Sequence, residues 1–390
     1  MFDILTLNHI SRHGLEELSP SVFSVSDSTA SPAGILVRSA SMLDMTINDG
    51  LLVIARAGVG YNNIPVARCS EAGVVVFNTP GANANAVKEL TLTGLLLSSR
   101  KIVESVKWAK TLKGASNVAA LVEKGKTNFA GPELSGKTLG VVGLGAVGIL
   151  VANACEVLGM AVIGYDPYVT VESAWALSRN VIRAVGLEEL LRRSDYITVH
   201  IPLVDATRGL FNAATLAQMK ENARLLNFSR GEIVDDAAVL HALKTGRLAR
   251  YVTDFPSDEL LDSEGVVTFP HLGASTPEAE DNCAVMAARQ LKNYLENGNI
   301  KNSVNFPACD LGPVSGCRIT VVNHNIPNVV GPITSVLAKA GMNIAHMLNK
   351  SKGNYAYNII DVDNACSETT LSEIAEVNGV IKVRMIERKE

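Results

Sequence analysis

The sequence predicts an α/β protein with two doubly wound parallel sheets and a smaller C-terminal unit of β-α-β-β-α-β order. Three observations indicate this fold class. Short apolar runs alternate with helix-like segments up to about residue 276. A glycine-rich turn follows one of those runs at Gly143–Gly148 and leads into a helix-like segment. Beyond residue 316 the pattern changes to alternating strands with two helices.

The length and composition limit the number of domains and the kinds of partner that the chain can have. The chain has 390 residues, enough for two or three domains of roughly 100–200 residues each. It has 35 Lys and Arg against 39 Asp and Glu, a formal net charge of −4, and only 5% aromatic residues. The negative net charge argues against a basic surface that would bind nucleic acid, and the low aromatic content argues against a platform for base stacking. Nucleic acid is therefore not expected as a partner.

Six cysteines are scattered without a Cys-x-x-Cys pair or histidines at ligand spacing. This argues against a disulfide framework or a metal site and favours reduced thiols in a cytoplasmic protein. The start, MFDILTLN, lacks a basic region, so we expect a first strand rather than a signal peptide. Thr138–Cys155 is uncharged but glycine-rich, which favours a strand, turn and helix over a membrane span.

The N-terminal part predicts buried strands at Ile35–Arg38, Leu52–Ala55 and Val74–Asn78, with helices at Ile64–Ala72 and Val87–Ser99. The central part predicts a strand at Thr138–Val142 and a helix at Val147–Leu158, followed by strands at Ala161–Tyr165, Tyr196–His200, Arg224–Phe228 and Tyr251–Asp254. Strands separated by helices indicate βαβ units, so both parts are predicted to be Rossmann-like.

A helix at Pro277–Leu295 is predicted to connect to a linker at Asn302–Gly316, which is rich in Pro and Gly. The C-terminal pattern is typical of a ferredoxin-like fold. Its predicted elements are Cys317–Asn323, Asn328–Ala340, Asn343–Asn349, Tyr355–Val362, Ser367–Val377 and Val380–Ile386.

The turn at Gly143, Gly145 and Gly148 has the G-x-G-x-x-G spacing and lies between a predicted strand and a predicted helix. In that context the glycines permit a tight turn, a close approach to pyrophosphate and helix–strand contact, while the helix N-terminus attracts the phosphates. Asp166 ends the next strand, where a carboxylate accepts hydrogen bonds from ribose hydroxyls and repels a 2′-phosphate. The predicted cofactor is therefore NAD rather than NADP.

Several polar residues are predicted at the carboxyl ends of strands, where open α/β sheets bind ligands. They are His200, Arg230, His271 and the acidic stretch Asp254–Glu259. Hydride transfer from a 2-hydroxy acid needs a cation for the carboxylate, a base for the hydroxyl proton and a carboxylate that orients the base. Arg, His and Asp or Glu meet these needs.

The chain resembles the D-isomer-specific 2-hydroxyacid dehydrogenases. The motifs that carry the resemblance span essentially the whole chain: RAGVGYNNIP at Arg56–Pro65, Phe77–Leu90, LSGKTLGVVGLGAVG at Leu134–Gly148, NFSRGEIVD at Asn227–Asp235, the strand that ends at Asp254, and PHLGAST at Pro270–Thr276. They are most similar to members that oxidise 3-phospho-D-glycerate, so the resemblance implies a phosphorylated 2-hydroxy acid as substrate. Another substrate of the same family, or a non-catalytic NAD-sensing protein, is an alternative.

The resemblance implies that Arg230 binds the substrate carboxylate and carbonyl oxygen and that His271 is the general acid/base. It also implies cofactor contacts at Val59, Ala146, Val147, His200, Pro202, Thr207, Asp254 and Gly273. Arg38, Ser39, Arg56 and Gly58 are implied to bind substrate, with the two arginines suited to a phosphate.

The acidic stretch departs from the usual D-V-F-x-x-E pattern, because this chain has D-F-P-S-D-E. Counting from Asp254 without a gap selects Glu259 as the carboxylate that orients His271. Aligning Phe-Pro with one residue missing selects Asp258 instead. We predict Glu259, and the choice stays open from the sequence.

The C-terminal pattern resembles an ACT domain, a small ligand-sensing module. The resemblance implies an L-serine effector held by Asn325 and Asn343, with Asn323 where some relatives have His, although a non-sensing oligomerisation module is an alternative. It also suggests a homodimer or homotetramer. The expected domains are a substrate domain at 1–95 and 277–302, an NAD domain at 96–276, a linker at 303–316 and the ACT domain at 317–390.

Overall fold

A computed structural model describes residues 1–387. The chain forms two compact units: the first contains Met1–Ala82 together with the chain from Glu280 onward, and the second is Asn83–Ala279. No helix within residues 1–387 has both the length and the apolar character needed to cross a bilayer. All six cysteines are buried free thiols, and burial raises the pKa of Cys155 to about 12.

The first unit opens with a five-stranded sheet of order β2-β1-β3-β4-β5 in which every pair of neighbours is parallel. The elements are β1 (Phe2–Leu7), α1 (Arg12–Leu15), β2 (Phe23–Ser26), β3 (Gly34–Val37), β4 (Val53–Arg56), α2 (Val66–Glu71) and β5 (Val75–Phe77). All four residues of β3 are buried, as is usual for a central strand covered on both faces. This order is that of a doubly wound sheet.

The second unit contains a seven-stranded parallel sheet of order β12-β11-β10-β9-β6-β7-β8. Its elements are α3 (Ala84–Ser99), α4 (Ile102–Thr111), α5 (Val118–Gly125), β6 (Thr138–Val142), α6 (Ala146–Val157), β7 (Ala161–Tyr165), α7 (Val171–Ala176), β8 (Ile182–Arg183), α8 (Leu187–Arg193), β9 (Tyr196–Val199), α9 (Ala213–Ala217), β10 (Ala223–Asn227), α10 (Asp236–Lys244), β11 (Leu248–Thr253) and β12 (Val266–Thr268). The strand order reverses between β6 and β9, which is where Rossmann sheets bind ligands.

Helix α11 (Pro277–Asn297) leads back into the first unit, which ends in a four-stranded antiparallel sheet of order β14-β15-β13-β16. Its elements are β13 (Cys317–His324), α12 (Val330–Lys339), β14 (Ile344–Lys352), β15 (Tyr355–Val362), α13 (Glu368–Ala375) and β16 (Val380–Glu387). The predicted fold class, two Rossmann-like parallel sheets and a ferredoxin-like unit, is thereby confirmed. Residues 388–390, the end of the predicted ACT domain, lie outside the described residues.

Both faces of the C-terminal sheet are covered. Ile360 packs against α12 and α13 in one apolar cluster. On the other face, Tyr357 and Ile359 belong to the same apolar cluster as Leu36 and Tyr294. The two sheets of the first unit therefore share a core.

A buried ion pair reinforces this junction. Arg318 on β13 is fully buried, and its Nε and Nη2 donate to the two carboxylate oxygens of Asp361 at 2.6 and 2.9 Å. Its Nη1 donates to the carbonyl oxygen of Asn297, at the end of α11, at 2.8 Å. Arg318 thus ties β13 both to β15 and to α11.

The segment predicted as a linker is packed rather than free. Phe306 and Cys309 are each 1% exposed within the shared core, and the Asn305 Oδ1 accepts a hydrogen bond from the Val76 N–H at 2.9 Å. The predicted break at residue 95 falls inside α3, which belongs whole to the second unit because Val87 and Leu95 pack in the same core as α6. The functional roles assigned to the predicted domains stay predictions.

Candidate functional site

The glycine-rich turn has two positions fixed by packing and one that is open. A Cβ on Gly143, where φ is +93°, would lie 2.4 Å from the carbonyl oxygen of His200. A Cβ on Gly148 would lie 1.9 Å from the carbonyl oxygen of Gly143. A Cβ on Gly145 would have no heavy atom of residues 1–387 within 4 Å beyond its chain neighbours and the backbone of its own helix, and no side chain among these residues caps the helix that begins at Ala146. The turn thus leaves room for a phosphate group beside uncapped helix N–H groups.

Asp166 lies next to this turn. Its Oδ2 accepts a hydrogen bond from the Leu144 N–H and its Oδ1 one from the Tyr168 N–H, both at 2.8 Å. Asp166 also lines a cavity of about 630 Å³, whose lining includes Trp175 and Arg183. The structure therefore brings together the glycine turn and the carboxylate predicted to bind ribose.

His200, Pro202 and Thr207 lie in one loop after β9. The Thr207 hydroxyl donates to the carbonyl oxygen of Pro202 at 2.7 Å and accepts from the Val204 N–H at 2.9 Å, which closes the loop on itself. The His200 Nε2 lies 3.0 Å from the Thr198 hydroxyl. Burial lowers the pKa of His200 to about 3, so its ring is neutral near pH 7.

Arg230 follows β10 and is placed by a neighbour that the sequence analysis missed. Asn227 is fully buried; its Nδ2 donates to the Arg230 carbonyl oxygen at 2.8 Å, and its Oδ1 accepts from the Ser229 N–H at 3.1 Å. The Arg230 Nη1 donates to the Ser229 carbonyl oxygen at 2.6 Å. The available signal was a polar residue ending the apolar run LLN.

Asp254 fixes the loop that carries His271. Its Oδ1 and Oδ2 accept hydrogen bonds from the Leu272 and Gly273 N–H groups, each at 2.7 Å, and its carbonyl oxygen accepts from the His271 N–H at 3.2 Å. His271 has a φ of +56°, uncommon for a residue other than glycine. Burial raises the pKa of Asp254 above its ordinary value, against the opposing effect of those N–H groups.

The carboxylate that would orient His271 is not in contact with it. Within residues 1–387 no hydrogen bond or ion pair joins the His271 ring to Glu259 or Asp258, and the ring packs edge-on against Phe255 at 5.0 Å. Both carboxylates are exposed, and the charge of Glu259 acts on Asp236. The assignment of Glu259 stays a prediction.

In the first unit, Arg38 is already paired. Its Nη2 lies 2.5 Å from the Glu280 Oε1, an acidic partner that no local sequence pattern predicts. A Cβ on Gly58, where φ is +151°, would lie 2.2 Å from the Arg56 Nη1, so only glycine leaves room for that guanidinium. The Asn78 Nδ2 donates to the Val59 carbonyl oxygen at 2.7 Å.

Ser39 belongs to a short turn in the same unit, where its N–H donates to the Asn8 Oδ1 at 3.1 Å. The predicted effector residues lie at opposite ends of the C-terminal sheet: Asn325 follows the end of β13 that pairs with Tyr355, whereas Asn343 precedes the end of β14 that pairs with Val362. The Asn325 Nδ2 donates to the Gly353 carbonyl oxygen at 3.0 Å, and Asn343 is exposed. Asn323 is buried, and its Oδ1 accepts from the Asn358 Nδ2 at 2.8 Å.

Residues 92–273 match the family model of the D-isomer-specific 2-hydroxyacid dehydrogenase NAD-binding domain. A D-3-phosphoglycerate dehydrogenase of Haemophilus influenzae is 30% identical over 348 residues, covering 86% of this chain and 81% of that protein. The chain belongs to the D-isomer-specific 2-hydroxyacid dehydrogenase family. The predicted cofactor of this dehydrogenase, NAD, is confirmed by the match to the NAD-binding domain.

Other relatives are longer. The D-3-phosphoglycerate dehydrogenase of Rattus norvegicus is 36% identical over 284 residues, or 70% of this chain, but the match covers 51% of the rat protein. The chain thus spans about half the length of several curated relatives. An NAD⁺-bound 3-phosphoglycerate dehydrogenase of Entamoeba histolytica has a TM-score of 0.58 at 25% identity, covering 78% of this dehydrogenase and 98% of that chain.

Proposed function

We propose that this protein catalyses the NAD-dependent oxidation of 3-phospho-D-glycerate to 3-phosphohydroxypyruvate, the first step of L-serine synthesis. The observation that carries the proposal is the loop of His271, which a buried Asp254 holds in the same unit as the glycine turn and Arg230. The relatives named D-3-phosphoglycerate dehydrogenase support the choice of substrate.

The residues suit the cofactor and the chemistry. The space at Gly145 fits a pyrophosphate, and the Asp166 carboxylate fits the ribose hydroxyls. NAD, when bound, accepts the hydride from C2 of the substrate. His271 takes the proton of the C2 hydroxyl on a ring nitrogen, while Arg230 holds the carboxylate and the oxygen that becomes the carbonyl. Glu259 would orient the protonated ring.

Arg38 and Arg56 are proposed to bind the substrate phosphate, which a bidentate guanidinium suits well. The pairing of Arg38 with Glu280 favours one alternative, a dehydrogenase for an unphosphorylated 2-hydroxy acid, because the cation is already neutralised. Comparison of phosphorylated and unphosphorylated substrates separates the two proposals.

The test is to mix purified protein with NADH and 3-phosphohydroxypyruvate and to follow the NADH absorbance, with hydroxypyruvate in a parallel assay. We expect NADH consumption and a higher kcat/KM for the phosphorylated substrate. His271→Asn is the matched control, because Asn tolerates a positive φ, and it should lower kcat by about 10²–10⁴-fold. No NADH loss with either substrate would overturn the proposal, and equal kcat/KM values would favour the alternative.

We further propose that the C-terminal sheet is an ACT domain that binds L-serine between two subunits of a cytoplasmic homodimer or homotetramer, with Asn325 and Asn343 as the residues that hold it. The β-α-β-β-α-β order and the exposure of both asparagines support this. Serine should then inhibit turnover in the wild type and lose potency in Asn343→Ala. An unchanged dose–response would favour a non-sensing oligomerisation module.

A further inference from the structure

A hairpin of the C-terminal sheet contacts the segment that follows α11. Strand β14 ends at Lys352, and Gly353 begins the turn into β15. The Lys352 Nζ donates to the carbonyl oxygens of Ser303 and Val304, both at 3.0 Å. Within residues 1–387 no carboxylate pairs with Lys352, so its ammonium group is held by backbone carbonyl oxygens.

This segment is bonded in turn to β5, the edge strand of the parallel sheet. Ser303 forms an antiparallel bridge with Phe77, and the Val304 N–H donates to the Val76 carbonyl oxygen at 2.9 Å. The Asn305 Oδ1 accepts from the Val76 N–H, also at 2.9 Å. Asn305 is 8% exposed, so water has little access to these bonds. The position of β5 therefore depends on the segment that covers its edge.

The carboxyl end of β5 supports the loop that contains Gly58 and Val59. The Asn78 Nδ2 donates to the Val59 carbonyl oxygen at 2.7 Å, and the Thr79 N–H donates to the Gly58 carbonyl oxygen at 3.1 Å. Gly58 leaves room for the guanidinium of Arg56, which is proposed to bind the substrate phosphate. Hydrogen bonds and the backbone of β5 thus connect the hairpin of the C-terminal sheet to the proposed substrate site within one chain.

The same hairpin is bonded to Asn325, which is proposed to hold L-serine. The Asn325 Nδ2 donates to the Gly353 carbonyl oxygen at 3.0 Å, and the Asn325 N–H donates to the Asn354 carbonyl oxygen at 2.8 Å. A carboxylate is a stronger acceptor than a neutral carbonyl oxygen, because its charge strengthens the hydrogen bond about twofold. The carboxylate of an effector therefore competes with Gly353 for the Asn325 amide.

We propose that Lys352 is a positioning residue that couples the effector site to the substrate site of the same subunit. Without effector, Asn325 holds Gly353 and Lys352 holds residues 303–304 beside β5. When the carboxylate of an α-amino acid takes the Asn325 amide, the hairpin is released and Lys352 leaves the two carbonyl oxygens. The loop at residues 58–59 then loses support, and the affinity for the substrate phosphate falls. This step rests on the proposed effector role of Asn325.

The coupling has a signature that a purely structural contact lacks. Coupling between two binding sites is reciprocal, so a change that breaks the Lys352 contacts favours the state that binds the effector. Removing the ammonium group should therefore weaken substrate binding and tighten effector binding. A residue that only stabilises the fold would weaken both.

Lys352→Met tests the proposal in the full chain, because Met keeps an apolar stem but donates no hydrogen bond. Lys350→Met is the matched control, since Lys350 is exposed on the same face of β14 and its side chain makes no hydrogen bond within residues 1–387. We expect Lys352→Met to raise the KM for 3-phosphohydroxypyruvate about fivefold with kcat near wild type. It should also tighten L-serine binding about fivefold in calorimetric titration, whereas Lys350→Met should change neither.

Amide hydrogen exchange measures the same coupling without turnover. L-serine should speed exchange at Val76 and Val304 of the wild type about fivefold or more, and Lys352→Met should show the faster exchange without ligand. Thermal denaturation verifies that both variants are folded. Exchange and KM values in Lys352→Met equal to those in Lys350→Met would overturn the proposal, and so would weaker serine binding by Lys352→Met.

Failure of the underlying assignments gives a different result. Absence of serine binding by the wild type would reject the proposed effector, and absence of turnover would reject the proposed reaction. In both cases the exchange of ligand-free Lys352→Met still decides whether Lys352 positions β5.

Discussion

A Cβ atom on Gly148 would lie 1.9 Å from the carbonyl oxygen of Gly143, so the two ends of the glycine turn leave no room for a side chain. A Cβ on the middle glycine, Gly145, would meet no non-neighbouring atom within 4 Å in the described part of the chain. The same motif thus combines two positions required by the fold with one position left open toward a ligand.

Gly148→Ala should therefore reduce the stability of the protein, whereas Gly145→Ala should reduce its affinity for the cofactor. We expect Gly148→Ala to lower the free energy of unfolding by about 1–3 kcal/mol or more, because backbone must move. Gly145→Ala should fold normally but bind NADH about tenfold more weakly, because its methyl group occupies the space for the pyrophosphate. Thermal denaturation and NADH fluorescence titration measure the two effects. Equal losses of stability would contradict this division.

The Arg38–Glu280 pair predicts opposite effects of two substitutions. Arg38→Ala should raise the KM for 3-phosphohydroxypyruvate about tenfold or more, and far more than the KM for hydroxypyruvate. Glu280→Gln should lower the KM for the phosphorylated substrate, because the guanidinium no longer needs to leave a carboxylate at 2.5 Å. Steady-state kinetics with both substrates measures these KM values for the wild type and the two variants. Equal effects of Arg38→Ala on the two KM values would remove the phosphate role.

Glu259 and Asp258 form a matched pair for the catalytic carboxylate. Both are exposed and adjacent, so Glu259→Gln and Asp258→Asn should have similar, small effects on stability. We expect Glu259→Gln to lower kcat about 10²-fold and to alter its pH profile, and Asp258→Asn to leave both near wild type. The reverse pattern would assign the role to Asp258.

His200 predicts a pH dependence of stability. Burial lowers its pKa in the folded protein to about 3, whereas an unfolded His titrates near 6.5. The folded state then binds fewer protons than the unfolded state below pH 6.5, so stability falls as the pH drops from 6.5 toward 3. Between pH 7 and pH 5 this contribution should be on the order of 1–2 kcal/mol. Urea denaturation should show a smaller pH effect in His200→Gln, and identical pH profiles would reject the assignment.

Replacing one member of the buried Arg318–Asp361 pair should lower the free energy of unfolding more than replacing both members. Asp361→Asn leaves a guanidinium charge without a carboxylate in the core and should cost about 3–5 kcal/mol. Arg318→Met combined with Asp361→Leu should recover much of that loss, because neither charge remains. Urea denaturation of the single and double variants measures the coupling. A double variant less stable than Asp361→Asn would contradict it.

Local patterns predicted much of the fold and part of the site. The glycine turn and Asp166 were identified from the sequence because a strand, a turn and a helix lie within a few residues of one another. The pairing of Arg38 with Glu280 joins residues 242 positions apart, and no local pattern reports such a contact. The packed segment around Phe306 was predicted as a linker because its prolines and glycines outweighed its few apolar residues.

The shared core of the first unit constrains how the chain can change. Tyr357 and Ile359 complete an apolar interior to which Leu36 and Tyr294 also belong. A chain cut before Cys317 would leave that interior facing water and should aggregate. The C-terminal sheet therefore cannot be removed or exchanged without exposing this core. Substitutions on its Tyr357 face must be matched by compensating substitutions around Tyr294.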